Sequence, residues 1–133
     1  MRDKHDKITI IGEVYSGEGK GGFFISRPWV TKQIEEKLGF KPYPGTLNIR
    51  ISESERIRRR LDNTRGIKIV PNEGFCSGKC FKAIVAGRIN GAIVIPEIPS
   101  YPKDMLEIIA PVNLRRELGI RDGNEIEITI ILE

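Results

Sequence analysis

Two stretches far apart in the chain follow one plan, and this repetition limits the folds open to it more than any other feature. In residues 30–51 a helix-like segment closes on Leu38-Gly39-Phe40, a turn holds Gly45, and Leu47, Ile49 and Ile51 then alternate with polar residues. In residues 112–132 a helix-like segment closes on Leu118-Gly119-Ile120, a turn holds Gly123, and Ile126, Ile128, Ile130 and Leu132 alternate in the same way. Successive side chains of a strand point to opposite sides, so this alternation marks strands with one buried face. A helix–turn–strand unit that occurs twice predicts a mainly β protein with short helices: a β-barrel with pseudo-two-fold halves. A cleft between the halves is then the natural ligand site. At 133 residues the whole chain, 1–133, is read as a single domain with a sizeable core.

The rest of the chain fits this plan. Lys7 to Tyr15 reads as an isoleucine-rich strand, and Gly12 inside it marks a bulge or a close backbone approach. Ser16-Gly17-Glu18-Gly19-Lys20-Gly21-Gly22 follows and runs into Phe23-Phe24-Ile25, read as another apolar strand. A glycine-rich loop lets backbone N–H groups converge on an anion, and Lys20 adds a positive charge. A flexible hairpin loop is the alternative. The Gly-to-Lys spacing is too short for a Walker A loop, Gly21 stands where Ser or Thr is needed, and a strand is expected next. The last point also argues against a dinucleotide fingerprint.

Pro28 opens a helix over 28–38, with Trp29, Val30, Ile34 and Leu38 at helical spacing and Gly39 as its cap. Ser52-Glu53-Ser54-Glu55 has the form of a capping box for a helix to about Asp62. Strands are expected at 67–71, 81–86, 92–96 and 105–110, with turn chemistry from Gly87 and Asn90-Gly91. Residues 97–104 read as a loop, and Val112 to Leu118 as a short helix.

The turn Lys41-Pro42-Tyr43-Pro44-Gly45 throws Thr46 and Asn48 onto the polar face of the strand that follows. Two oxygen-bearing side chains at the mouth of a strand can hold a hard cation such as Mg²⁺, with substrate phosphates supplying negative charge. An ordinary solvated face is the alternative reading of the pair.

Composition narrows the classes. The apolar fraction is 39% and the charged fraction 30%, as in a soluble globular protein. No run of about 18 apolar residues is present, so no transmembrane helix is expected. Met1 to Lys7 lacks the apolar run and cleavage site of a signal peptide, which leaves a cytoplasmic location as the default. A net charge of +4 permits nucleotides, phosphorylated ligands or nucleic acid as partners. Much of the positive charge falls in Arg56-Ile57-Arg58-Arg59-Arg60, read as a solvated helix face. Two cysteines cannot build a tetrahedral zinc site. Cys76 and Cys80 flank a turn-like Ser77-Gly78-Lys79 and could pair across a hairpin, but a reduced pair is expected in a cytosol.

Four segments in order carry a resemblance over nearly the whole chain. They are Gly12-Glu13-Val14-Tyr15-Ser16-Gly17-Glu18-Gly19-Lys20-Gly21-Gly22-Phe23-Phe24, Leu38 to Asn48, Asn90 to Pro96, and Glu107-Ile108-Ile109-Ala110-Pro111 running into Leu114-Arg115. With this spacing the chain resembles the archaeal CTP-dependent riboflavin kinases; residues 53–80 are the least similar, and nothing is carried over there. The resemblance implies a cradle-loop barrel that moves the γ-phosphate of CTP to the 5′-hydroxyl of riboflavin, giving FMN and CDP. It implies that Gly17, Glu18, Gly19, Lys20, Gly21 and Gly22 wrap the nucleotide phosphates. Val112, Asn113, Leu114 and Arg115 would line the cytidine pocket, Thr46 and Asn48 would bind one Mg²⁺, and Glu107 would contact the flavin. Lys20 stands where a family member can carry an acidic residue. A flavin-contacting Thr of the family aligns with Pro99, which has neither hydroxyl nor N–H, and Ser100 is the candidate substitute. No residue stands out as a general base.

No membrane partner is expected, nucleic acid is not the expected ligand, and a monomer is favoured. Two alternatives remain: a flavin or nucleotide binder without turnover, and a DNA-binding protein. The latter rests on the likeness of Leu118-Gly119-Ile120-Arg121-Asp122-Gly123 and its strand to the half-barrel of swapped-hairpin transcription factors, which dimerise on DNA.

Overall fold

The computed structural model describes residues 6–16, 24–72 and 74–132. Among the described residues seven strands form one antiparallel sheet: β1 (Asp6–Tyr15), β2 (Leu47–Ile51), β3 (Ile67–Ile69), β4 (Gly78–Val85), β5 (Ile89–Pro96), β6 (Met105–Ile109) and β7 (Glu125–Leu132). Their order is β3-β4-β5-β6-β2-β1-β7, and a further pairing of β4 with β7 closes six of them into a barrel, with β3 outside. The barrel therefore closes within one chain, where the swapped-hairpin alternative needs two. Among the described residues the sheet is accompanied by α1 (Pro28–Leu38), α2 (Ser54–Asp62) and α3 (Leu114–Leu118). Among the described residues no helix is long and apolar enough to cross a membrane.

The repeated plan is visible in the fold. Helix α1 leads into β2 and α3 into β7, and both strands pair antiparallel with β1. Both helices end on a left-handed residue, Gly39 (φ 87°) and Gly119 (φ 63°), where a side chain would be strained. Strand β1 serves both neighbours: Gly12 lies opposite Ile51 of β2 and Ile126 of β7. Ile49 approaches so closely that a Cβ on Gly12 would sit 2.6 Å from its Cδ1, which is the close approach expected of a strand glycine.

Alternation sorts the side chains into two cores. Leu47, Ile49 and Ile51, with Leu106, Ile108, Ile126, Ile128 and Ile130, fill the barrel interior. The opposite face of β4, β5 and β6 is also covered, because Val30 and Ile34 of α1 pack there with Ile69, Cys80, Ala92, Val94 and Ile109. Burying each of the valine, leucine and isoleucine side chains among them is worth about 1.5–3 kcal/mol. This second layer explains the run Ala92 to Pro96, which is buried on both faces and so does not alternate.

Several local expectations are corrected. Phe24 and Ile25 are helical, not a strand, and they cap the second core; Phe23 lies outside the described residues. The strand-after-loop argument against a phosphate loop therefore lapses, and only the glycine–lysine spacing and Gly21 still speak against Walker A. Helix α2 has no capping box. Glu53 takes the N-cap in a left-handed conformation (φ 52°) without a side-chain cap, and its Oε1 accepts instead from Arg56 Nε at 2.7 Å. Asn90-Gly91 belongs to β5; the turn is Ala86-Gly87-Arg88. Gly78 to Cys80 is strand, not hairpin turn, and both cysteines are free.

Candidate functional site

The end of β2 and the middle of β6 meet at the opening of a cleft. Leu47 and Ile49 face the barrel interior, so Asn48 faces the other way, and its register partner on β6 is Glu107. The turn before β2 is tied down by Tyr43 N–H donating to Ala110 O at 2.7 Å, which sets Thr46 beside both. Thr46 Oγ1 lies 2.7 Å from Glu107 Oε1 and 3.1 Å from Asn48 Oδ1. Asn48 is 6% exposed and Glu107 is 0% exposed. Glu107 is therefore a buried carboxylate and not one on a wet strand face.

Glu107 is held from its other side as well. Tyr101, itself 4% exposed, donates its hydroxyl to Glu107 Oε2 at 2.7 Å. Burial, and then the neighbouring Glu107 carboxylate, push the Tyr101 phenol far above its ordinary range, so it stays protonated and remains a donor. Behind it, the Arg58 guanidinium stacks 5.7 Å from the Tyr101 ring and donates from Nη1 to Pro102 O at 3.0 Å. Arg58 thereby departs from the solvated face predicted for its run, while Arg56, Arg59 and Arg60 keep to it.

Thr46 also lines a cleft of ≈ 160 Å³, and Val112, Asn113, Leu114 and Arg115 line the same cleft with Tyr43. Asn113 caps α3 by accepting from Arg116 N–H at 3.1 Å, and its Nδ2 lies 3.4 Å from the Tyr43 hydroxyl. Arg115 donates to Asp122 Oδ1 at 2.8 Å, and Ser16 donates to Asp122 Oδ2 at 2.8 Å. Those hydrogen bonds, Arg115's first, hold the Asp122 carboxyl below the usual range. Ser16 is the last described residue before the glycine-rich loop; Gly17, Glu18, Gly19, Lys20, Gly21 and Gly22 themselves lie outside the described residues.

The expected flavin residues are not all gathered here. Pro99 lines a second cleft of ≈ 440 Å³ with Arg58, Asp62, Lys79 and Ile98, and Ser100 is exposed beside it. The row Arg58–Tyr101–Glu107–Thr46 runs from this second cleft to the first.

The donor set fits a hard cation. Thr46 Oγ1 and Asn48 Oδ1 are oxygens 3.1 Å apart. Two neighbouring ligands of octahedral Mg²⁺ at about 2.0–2.1 Å are themselves about 3 Å apart. Among the described residues no group of three or more His, Cys, Asp and Glu side chains could hold a metal. Sequence reasoning did not single out Tyr101, Arg58 or Asp122. Tyr101 sits in a polar, proline-rich loop without periodicity, and Asp122 reads as a plain turn residue.

Comparison with known proteins places the chain in a family. The family model CTP-dep_RFKase, described as a domain of unknown function (DUF120), matches residues 14–130. A riboflavin kinase of Archaeoglobus fulgidus is 49% identical over 98% of this chain and 58% of its own length. Those of Methanococcoides burtonii and Pyrobaculum aerophilum are 44% and 46% identical, each over 94% of this chain and over 58% and 61% of their lengths. The chain thus spans about three-fifths of the length of these curated relatives. With a match that runs through both halves of the barrel and the cleft between them, the chain belongs to the CTP-dep_RFKase (DUF120) family.

Proposed function

We propose that the chain is a riboflavin kinase that takes the γ-phosphate from CTP. The 5′-hydroxyl oxygen of riboflavin forms the new bond to phosphorus, the bond from phosphorus to the β-bridging oxygen breaks, and FMN, CDP and a proton are released. The observation that carries the reading is the convergence of Thr46, Asn48 and buried Glu107 at the mouth of the cleft that Val112 to Arg115 line. The names of the relatives support riboflavin as acceptor, and the family's name supports CTP as donor.

Phosphoryl transfer asks for positioning and charge neutralisation more than covalent help. Val112, Asn113, Leu114 and Arg115 would hold the cytidine end, and the Gly17–Gly22 segment the phosphates. Thr46 Oγ1 and Asn48 Oδ1 would hold one Mg²⁺. When bound, that ion neutralises charge developing on the phosphate oxygens. Glu107 would take part in placing the flavin hydroxyl, with Ser100 contributing in place of a hydroxyl lost at Pro99.

The test is to incubate the purified chain with riboflavin, Mg²⁺ and either CTP or ATP, and to separate the flavins by chromatography. FMN and CDP with CTP, and little FMN with ATP, are expected. CTP binding without FMN would establish a binder without turnover, and absence of FMN with every nucleotide would overturn the kinase reading.

A further inference from the structure

Tyr101 has no assigned part in any of this, yet its hydroxyl reaches the centre of the polar cluster. We infer that Tyr101 is a positioning residue that acts through Glu107 to fix the direction of the Thr46 hydroxyl, and so the ability of Thr46 and Asn48 to hold a divalent cation. This inference rests on the metal reading of Thr46 and Asn48 given above.

The argument is one of proton direction. A threonine hydroxyl has one proton and two lone pairs. Among the described residues Thr46 Oγ1 meets two acceptors, Glu107 Oε1 at 2.7 Å and Asn48 Oδ1 at 3.1 Å, and it cannot donate to both at once. If the proton points to Asn48, it lies between the two oxygens that would face the cation and repels it. If it points to Glu107, the Thr46 lone pairs and Asn48 Oδ1 present negative density to the same place. The carboxylate wins because it is closer and because hydrogen bonds to charged acceptors are shorter and stronger.

That preference requires Glu107 to stay where it is. Strand register sets its backbone opposite Asn48, but its carboxylate can still turn about its own torsions. Tyr101 restricts those torsions by holding Oε2 at 2.7 Å, with Oε1 toward Thr46. The ring cannot swing away easily: it is buried in the barrel core cluster and stacked by Arg58, whose Nη1 is fixed on Pro102 O. The arrangement has the form of an outer-shell partner that orients a ligand, at one remove.

The test removes only the hydroxyl, with Tyr101→Phe, and measures Mn²⁺ binding by electron paramagnetic resonance in the presence of CDP, together with FMN formation as Mg²⁺ is varied. Loss of an outer-shell partner costs about 10–100-fold in metal affinity or activity. The expected result is an Mn²⁺ dissociation constant raised about tenfold or more, an equal rise in the Mg²⁺ needed for half-maximal rate, and an unchanged KM for riboflavin at saturating metal. Unchanged metal affinity, or a raised riboflavin KM with normal metal affinity, would overturn the inference.

Should Tyr101→Phe not fold, 3-fluorotyrosine and 3,5-difluorotyrosine at position 101 keep the ring and make the hydroxyl a progressively stronger donor. Mn²⁺ affinity then follows phenol acidity if Tyr101 positions Glu107, and its failure to do so would overturn the inference. If wild type binds Mn²⁺ with CDP but forms no FMN, the kinase reading fails while the positioning role is still decided by the binding data.

Discussion

Thr46 and Glu107 are 61 residues apart in the chain, yet Thr46 Oγ1 donates to Glu107 Oε1 at 2.7 Å. The contact exists because β2 and β6 are neighbours with Asn48 opposite Glu107. It joins the two segments for which separate roles are proposed, metal binding and flavin contact. Thr46→Val removes the hydroxyl at nearly constant shape. It should lower kcat for FMN formation about 100-fold or more, since a lost Lewis acid is worth several kcal/mol. Stability should fall by only about 1–3 kcal/mol, the cost of a buried acceptor losing one donor. Asn48→Ala should behave alike. Turnover unchanged in both variants, with folding checked by urea titration, would remove the metal role from this pair.

Asp122 bridges Ser16, at the start of the glycine-rich loop, and Arg115, which lines the cleft. Asp122→Asn should raise the KM for CTP by no more than about fivefold, the scale of an exposed ion pair, and leave kcat nearly unchanged. Its pH dependence has a definite sign. The carboxyl is held below its ordinary value of 3.8 in the folded chain, so any stability it contributes is present above that pH and is lost as pH falls through the still lower folded value. The urea midpoints of wild type and Asp122→Asn should therefore differ by a constant amount above about pH 4 and converge below it. A gap that widens in acid would contradict the assignment.

Much of this fold could be read from the chain because its local and tertiary preferences agree. Helix α1 begins at Pro28 and ends before Gly39 as its residues dictate, and β7 alternates because one face lies in the barrel. The misreadings fall where tertiary contacts override local chemistry. Phe24 and Ile25 are buried in one cluster with Ala92 and Val94, and nothing in their pattern separates a buried helical turn from a strand. Glu53 joins Arg56 in an ion pair and leaves the cap unmade. The paired polar face of Thr46 and Asn48 was legible, since it follows from spacing. Tyr101 was not, because its value lies in a single 2.7 Å contact across a loop.

Gly91 shows the same override at one atom. Asn-Gly is a strong hairpin signal, yet here it lies inside β5, with Gly91 opposite Ala83 of β4 and the next residue, Ala92, opposite Ile109 of β6. A Cβ on Gly91 would stand 2.4 Å from Ile109 O, a backbone atom that cannot step aside without breaking the β5–β6 ladder. Gly91→Ala should destabilise the chain by about 1–3 kcal/mol or more, as overpacking does. Equilibrium urea unfolding measures it, and a loss under about 0.5 kcal/mol, the range of an indifferent surface change, would show that the strands part easily there.

The two cysteines should differ in reactivity by orders of magnitude. Cys80 is 0% exposed beneath α1 among Val30, Ile34 and Ile69, and burial pushes its thiol up to about 12, with the charge of Lys37 a weaker opposing influence. The thiolate is the reactive form, so at pH 8 only about one Cys80 in ten thousand is poised to react. Cys76 is half-buried and free. A colorimetric disulfide reagent at pH 8 should therefore titrate one thiol in the native chain and two in urea. Because Cys80 lies in β4, opposite Ile67 and Val94, no hairpin brings it to Cys76. Two thiols titrating together in the native state would mean that α1 lifts from the sheet, and none in urea without reductant would reveal a disulfide.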